Sequence, residues 1–518
     1  MGSTPGEYIY KVALVLSFTI VIRMHEHYYK EKVVKMGKWT LYPLDTEAWM
    51  SEQGSLFFKK YFGVPKGLLM VHDPFEHAYV PESYFKILHD RIRDITTKDK
   101  RGLEKILKKF YSARKTVKKN LVRYSARDYS KLSNKKLIDL FQKNREQVHH
   151  ITVFDQFGWL AEEYWTPLME EALKRAGLKK GEDEYHKTLF ALTKPKEIST
   201  TLSEKRDILK SAIRITQKKS TIETESEELA RVYGWMPVFA FGDAWDKEHY
   251  KKDLDALITK SQDELIEQFE PLKNYSGNRN REIKAIVKKY KIASRDLQLF
   301  IDFGLALDAR NEAEYCLSFG GYYVRPMYEE IAKRLFIPIS DLRLIYEHEI
   351  ALCLQGRENV MVILKDKRGM VAYGYDKEMK TRINLGDIET RKLFKHLESY
   401  VQNIQGGDEF KGTCASSGMA EGIARIIPHP DQNARVNDGD ILITHATTVD
   451  YLPAMKKAAA IVTEVGGLTC HAAVVSREFG IPCVVALKNA MKNFKDGDLI
   501  EVNADRGLVT VIKKAEAR

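Results

Sequence analysis

Thr463-Glu464-Val465-Gly466-Gly467-Leu468-Thr469-Cys470-His471-Ala472-Ala473-Val474-Val475-Ser476-Arg477-Glu478 is the stretch on which the reading of this chain turns. The apolar run that leads into it, Ala458–Thr463, reads as a buried strand, and Gly466-Gly467 reads as a sharp turn. His471 then arrives just as a helix of small residues begins. The first amides of a helix lack intrahelical partners and lie at the positive end of its dipole, so they favour an anion. Two glycines just ahead let the backbone come close to a phosphate. A histidine placed there has the chemistry to take a phosphoryl group on a ring nitrogen, with Gly466, Gly467, Thr469 and Thr463 as the supporting cradle. The positive potential also favours neutral imidazole, the nucleophilic form. The same residues equally fit a histidine buried and hydrogen-bonded in a glycine-rich turn, and the local pattern leaves both readings open.

Outward from this stretch the rhythm is short and β-rich. Ile423–Ile427, Asp440–Thr444, Ala460–Thr463, Cys483–Ala486, Leu499–Val502 and Leu508–Ile512 read as strands, separated by turns at Asp438-Gly439, Gly466-Gly467, Asp496-Gly497 and Arg506-Gly507. Short helices are expected over Tyr451–Ala458 and from His471. Residues 413–518 therefore read as a small α/β domain, of ordinary single-domain size at ~100 residues. Gln402–Gly412 (QNIQGGDEFKG) is polar and glycine-rich and reads as a hinge linker.

Before the linker the pattern is mostly helical, and residues 1–401 are expected to form a large helical region, with a subdomain break near 200–225. Ser133 reads as the N-cap of a helix to about His149, and Phe157–Arg175 as a second helix stopped by Gly177. Thr224-x-x-Glu227 and Ser261-x-x-Glu264 read as capping boxes. Ser294 and Ser340 are expected to start further helices. Val360–Leu364 and Met370–Gly374 read as a β-hairpin. The fold class expected is thus multidomain: a large, mostly α-helical N-terminal region with a β-hairpin, then a small α/β domain.

The charge is divided in the same way. The chain has 518 residues, 83 Lys+Arg and 72 Asp+Glu, for a net charge of +11. From Glu409 onward the two signs balance at 13 each, so residues 1–408 carry the whole excess. With 44% hydrophobic and 30% charged residues, neither a disordered chain nor a membrane bundle is supported. Five cysteines, with no CxxC pair, support neither a disulfide framework nor a zinc site, and point to a reduced, cytoplasmic setting. Val12–Ile22 is too short for a membrane span, which needs ~20 apolar residues, and reads as a buried strand or helix. The basic stretch Lys98–Arg127 reads as a solvated helix face, with Leu103, Ile106, Leu107 and Phe110 turned inward. Trp159, Tyr164, Trp165, Trp235, Phe239, Phe241, Trp245, Tyr322 and Tyr323 suit helix packing or an aromatic acceptor groove, and the pair His149-His150 is a candidate for a general base.

Several linked motifs add a resemblance. Asp438–Thr444 (DGDILIT), Thr447–Pro453 (TTVDYLP), the TEVGGLTCHAAVVSRE run, Gly480–Val485 (GIPCVV) and Asp496–Glu501 (DGDLIE) occur in order over residues 411–514. This segment resembles the swivelling phosphohistidine domain of phosphoenolpyruvate-utilising enzymes, the family of phosphoenolpyruvate synthase, pyruvate phosphate dikinase, rifampin phosphotransferase and phenylphosphate synthase. The resemblance implies that His471 is the phosphorylated residue. Family members of the synthase type add an ATP-grasp domain and a TIM barrel. Residues 1–400 show no glycine-rich phosphate loop and few residues follow the carrier segment, so both domains are expected to be lacking. ATP and Mg2+ are then expected mainly on a separate ATP-grasp subunit, with no metal site and no tightly bound cofactor in this chain.

By the same resemblance Arg310 is a candidate for phosphate or acceptor binding. Rifampin-type relatives place a lysine four residues after that arginine, whereas this chain has Glu314, a departure that puts a rifampin-like acceptor in doubt. The plainer role for Arg310 is an ion pair with Glu312 or Glu314. The function expected is the phosphohistidine-carrying subunit of a split, dikinase-type phosphotransferase that passes a phosphoryl group from His471 to a hydroxyl or enol of a small organic acceptor. The alternative is a non-catalytic scaffold or sensor whose basic region binds nucleic acid or anionic membrane. An intact His471 motif argues against it, so neither is an expected partner.

Overall fold

Ser133 begins the longest described helix by accepting the Lys136 amide on Oγ at 3.3 Å, an N-cap that satisfies one of the orphan donors of the first turn. The computed structural model describes residues 33–39, 69–72, 76–98, 101–180, 182–238, 243–367, 371–376, 381–385, 390–392, 409–468 and 470–515, with positions 60, 62 and 395. Val12–Ile22, Phe239, Phe241 and Thr469 lie outside them, as does the side chain of Trp159. By packing, the chain divides into two compact units, residues 1–91 with 334–403 and residues 92–333 with 404–518.

The first unit holds an antiparallel five-stranded sheet in the order β1-β3-β2-β4-β5. Its strands are β1 (Val33–Trp39), β2 (Leu69–His72), β3 (Glu76–Pro81), β4 (Val371–Asp376) and β5 (Thr381–Leu385). The expected hairpin is displaced by one element. Val360–Lys367 is helical, its start fixed by Asn359 Oδ1 accepting the Met361 amide at 2.9 Å, and the hairpin is β4–β5. A short apolar run such as VMVIL carries no period that tells strand from buried helix, and the cap decides it.

The second unit contains the helices α1 (Gly102–Ser125), α2 (Asn134–Arg175), α3 (Thr200–Thr216), α4 (Lys247–Ile258) and α5 (Ser294–Arg334). The basic helix α1 buries Leu103, Leu107, Phe110, Val117, Leu121 and Tyr124, which leaves its lysines on the solvated side, as read from the sequence. The two helices expected over 134–149 and 157–175 are one, α2. Residues 151–155 are buried all round, which erases the amphipathic period that would have joined the halves. Ser261 and Glu264 form the expected capping box, whereas the cap at the next candidate is Thr221 instead of Thr224.

The C-terminal body of this unit is an eight-stranded sheet in the order β6-β13-β12-β8-β9-β10-β11-β7. Its strands are β6 (Glu409–Lys411), β7 (Thr413–Ser416), β8 (Met419–Ile426), β9 (Ile441–Thr444), β10 (Ala460–Thr463), β11 (Cys483–Val485), β12 (Leu499–Asn503) and β13 (Leu508–Lys513). β8, β9, β10 and β11 pair in parallel, and every residue of β9, β10 and β11 is buried, as parallel strands covered on both faces require. Helix α6 (His471–Phe479) follows β10 and returns the chain to β11. The end of the stretch read as a linker is therefore ordered structure. Glu409–Lys411 pairs with β13, and a Cβ at Gly412 would lie 2.6 Å from the Val485 carbonyl oxygen. No described helix is long and apolar enough to cross a membrane.

Candidate phosphohistidine site

Strand β10 ends at Thr463, whose hydroxyl donates to the Val465 carbonyl at 2.7 Å and closes the turn. Thr463 thus shapes the loop; its hydroxyl is committed to that carbonyl. Gly466 follows at φ +118, a conformation open to glycine, and a Cβ there would meet Cys470 Sγ at 2.8 Å. Gly466→Ala is therefore expected to cost ~1–3 kcal/mol in denaturant unfolding. Adding Cys470→Ala should recover only part of this loss, because the backbone strain remains; full recovery would reduce the glycine's role to one contact. Cys470 caps α6 by accepting the Ala473 amide at 3.4 Å. Burial pushes its thiol up to about 11, so it stays protonated.

His471 is the first residue of α6 and is 5% exposed. Its Nδ1 lies 3.0 Å from Thr447 Oγ1, while its buried Nε2 has no hydrogen-bond partner among the described residues. Burial, then the nearby Arg310 guanidinium, lowers its pKa to about 3, so the ring is neutral throughout the physiological range. When Nδ1–H donates to Thr447, the in-plane lone pair is left on Nε2. The imidazole is oriented, neutral and has its second nitrogen unspent.

The helical part of the unit supplies the opposite wall. Arg310 on α5 sits 3.5 Å from Asp155 on α2, both largely buried. Gly158, one turn along α2, makes that approach possible, since a Cβ there would fall 2.6 Å from Arg310 Cβ. The ion-pair partner expected for Arg310 is thus corrected to Asp155. Glu312 is engaged by Arg114 and by Thr200 at 3.0 Å. Glu314, one turn beyond Arg310, is buried; burial and the nearby Asp155 and Asp450 carboxylates, opposed by Arg310, push its carboxyl up to about 8. Gly467 faces α2 as well, and a Cβ on it would overlap the Glu162 carboxylate. A carboxylate therefore stands where a phosphate was expected to approach Gly467.

Further contacts seat the carrier body on the helices. Lys456 Nζ lies 4.1 Å over the Trp245 ring, 3.4 Å from Glu204 on α3 and 3.7 Å from Asp253 on α4. Arg477 stacks 5.0 Å over Phe190 and donates to the Ala473 carbonyl at 2.9 Å. The aromatic residues Trp165, Trp235 and Trp245 are core, at 0%, 5% and 8% exposure, instead of the lining of an open groove. His149 is buried on α2, six residues before Asp155.

The sequence reading missed Thr447, Asp155 and Glu162. Thr447 stood inside the quoted TTVDYLP run and could have been found there; the two acids carry no local signal, because only the packing of α2 on α5 and on the glycine turn brings Asp155 to Arg310 and Glu162 to Gly467.

Sheet order, parallel core and helix-terminal histidine define a class: an α/β body that presents one buried, neutral imidazole at the start of a helix. Residues 436–507 match the family described as PEP-utilising enzyme, mobile domain. A probable phosphoenolpyruvate synthase of Archaeoglobus fulgidus is 48% identical over 120 residues, 23% of this chain and 16% of that protein. The phosphoenolpyruvate synthase of Pyrococcus furiosus is 48% identical over 112 residues, 20% of this chain and 14% of its own. A probable phosphoenolpyruvate synthase of Pyrococcus abyssi is 38% identical over 146 residues, 26% of this chain and 18% of that protein. The C-terminal body is thus similar to the mobile domain of PEP-utilising enzymes. The matched segment spans less than a fifth of these relatives.

Proposed function

We propose that this chain is the phosphohistidine-carrying subunit of a split, ATP-dependent phosphotransferase. His471 takes a phosphoryl group from ATP held by a separate ATP-grasp subunit and passes it to a hydroxyl or enol of a small organic acceptor. One observation carries the reading: His471 Nδ1 lies 3.0 Å from Thr447 Oγ1, and its buried Nε2 has no hydrogen-bond partner among the described residues. In loading, the Nε2 lone pair attacks phosphorus while Nδ1–H stays on Thr447, so the phosphorylated ring is a cation bonded to a dianionic phosphoryl group. Arg310 faces that charge from the helical body, as transfer of a phosphoryl group requires at each station.

One histidine cannot touch a nucleotide on another chain and an acceptor beside α2 and α5 at once. Residues 409–518 are therefore proposed to swing as a body on the chain that precedes Glu409, with the contacts of Lys456 and Arg477 released on the outward stroke. The nucleotide and its Mg2+ are assigned to the partner, where one or two carboxylates and the nucleotide phosphates would hold the cation.

The test supplies β-labelled ATP with and without a co-encoded ATP-grasp chain. Acid-labile label is expected on this chain only when the partner is present, and none on His471→Ala. Label that survives the substitution, or that never arrives, overturns the reading.

A further inference from the structure

We propose that Glu314 is the proton acceptor of the transfer step: it takes the hydroxyl proton of the acceptor as the phosphoryl group leaves Nε2 of His471. The proposal rests on His471 being the phosphoryl carrier. Glu314 lies one turn after Arg310 on α5, and Arg310 is the cation that acts on His471. Asp155 of α2 faces Glu314 from one side, and Asp450 from the carrier turn that also holds Thr447. The carboxylate is 8% exposed and forms no hydrogen bond or ion pair with a described residue. A buried carboxylate one turn from Arg310, with no hydrogen bond or ion pair to a described residue, has spare capacity to receive a proton.

The balance of the reaction requires such a group. The acceptor oxygen attacks phosphorus, the P–Nε2 bond breaks, and its electron pair returns to the ring, which leaves as neutral imidazole with Nδ1–H still on Thr447. The acceptor's O–H proton then needs a home. The imidazole cannot keep it, because burial and Arg310 hold His471 near 3. Glu314 can, because burial, with Asp155 and Asp450 against Arg310, raises its proton affinity to about 8. Two groups in one site whose environments push their pKa values in opposite directions divide the acid and base roles between them. Glu314 starts as carboxylate and ends as carboxylic acid, and the total charge is unchanged. A carboxylate base suits an acceptor that arrives as a neutral alcohol or phenol.

The experiment charges the full-length chain chemically with phosphoramidate, which needs neither ATP nor partner, and follows the phosphohistidine by 31P NMR as it discharges to water and to methanol as an alcohol probe. Wild type is expected to discharge faster as pH rises towards about 8, opposite in sign to free phosphohistidine, which is lost in acid. Glu314→Gln should charge to the same extent, discharge ~100-fold more slowly and lose the rise with pH; Glu314→Asp should keep the rise at a lower rate. Equal thermal midpoints of wild type and variants show that they fold. Glu314→Gln discharging at the wild-type rate with the wild-type pH dependence overturns the proposal. Wild type that takes no phosphoryl group on His471 instead overturns the carrier reading on which it rests.

Discussion

Arg310→Met is expected to destabilise the protein by ~3–5 kcal/mol in denaturant unfolding at pH 8, the cost of leaving a buried charge without its partner. The arginine is buried, pairs with Asp155 at 3.5 Å and opposes the charge of Glu314. Its loss leaves two carboxyls together in a low-dielectric site, where they hold protons more tightly than in the unfolded chain. The folded variant then binds more protons than the unfolded one, so its stability falls as pH rises above the ordinary carboxyl range. The deficit should accordingly shrink at pH 5 and grow towards pH 8. Arg310→Lys keeps the charge but not the planar fork and should fall between the two. A deficit independent of pH would mean that Arg310 acts through its packing on Gly158 alone.

His471→Asn is expected to abolish phosphoryl acceptance altogether. Cys470, the neighbouring nucleophile, is held as a thiol and offers no substitute. The same substitution has a second readout in pH. The histidine is held near 3 in the folded chain against 6.5 for an exposed ring, so the folded state binds fewer protons between these values. Wild type should therefore lose stability as pH falls from about 6.5 towards 3, and the variant should lose less over that window when thermal midpoints are compared. Identical pH slopes would show that His471 is not buried and neutral.

Much of the carrier body was legible because its signals are local. Asp-Gly, Gly-Gly and Arg-Gly turns bound short β-branched runs, and the strands at Ala460–Thr463 and Cys483–Val485 fall where the pattern placed them. His471 could be placed at a helix start from Gly466-Gly467 and the AAVVSRE run alone. The five-stranded sheet of the first unit was not legible, since β2 pairs with β4 across most of the helical region and neither strand alternates clearly. Length misled in α2 and α5: helices buried on several faces lose the period by which they are read. The acidic side of the site was hidden for a different reason. The excess positive charge of residues 1–408 suggested a phosphate-receiving surface, yet Glu162 stands against Gly467 of the turn, and Asp155 and Glu314 neighbour Arg310. Net charge reports the solvated faces, such as α1, and says little about a buried site.

The central claim is that Nε2 of His471 carries the phosphoryl group. The most direct measurement is 31P–15N correlation NMR of the chain, labelled with 15N-histidine and charged through its ATP-binding partner. One phosphorus signal coupled to Nε2 of a single histidine, and absent from His471→Asn, is the expected result. Phosphorus on Nδ1, on another residue, or on no residue would contradict it.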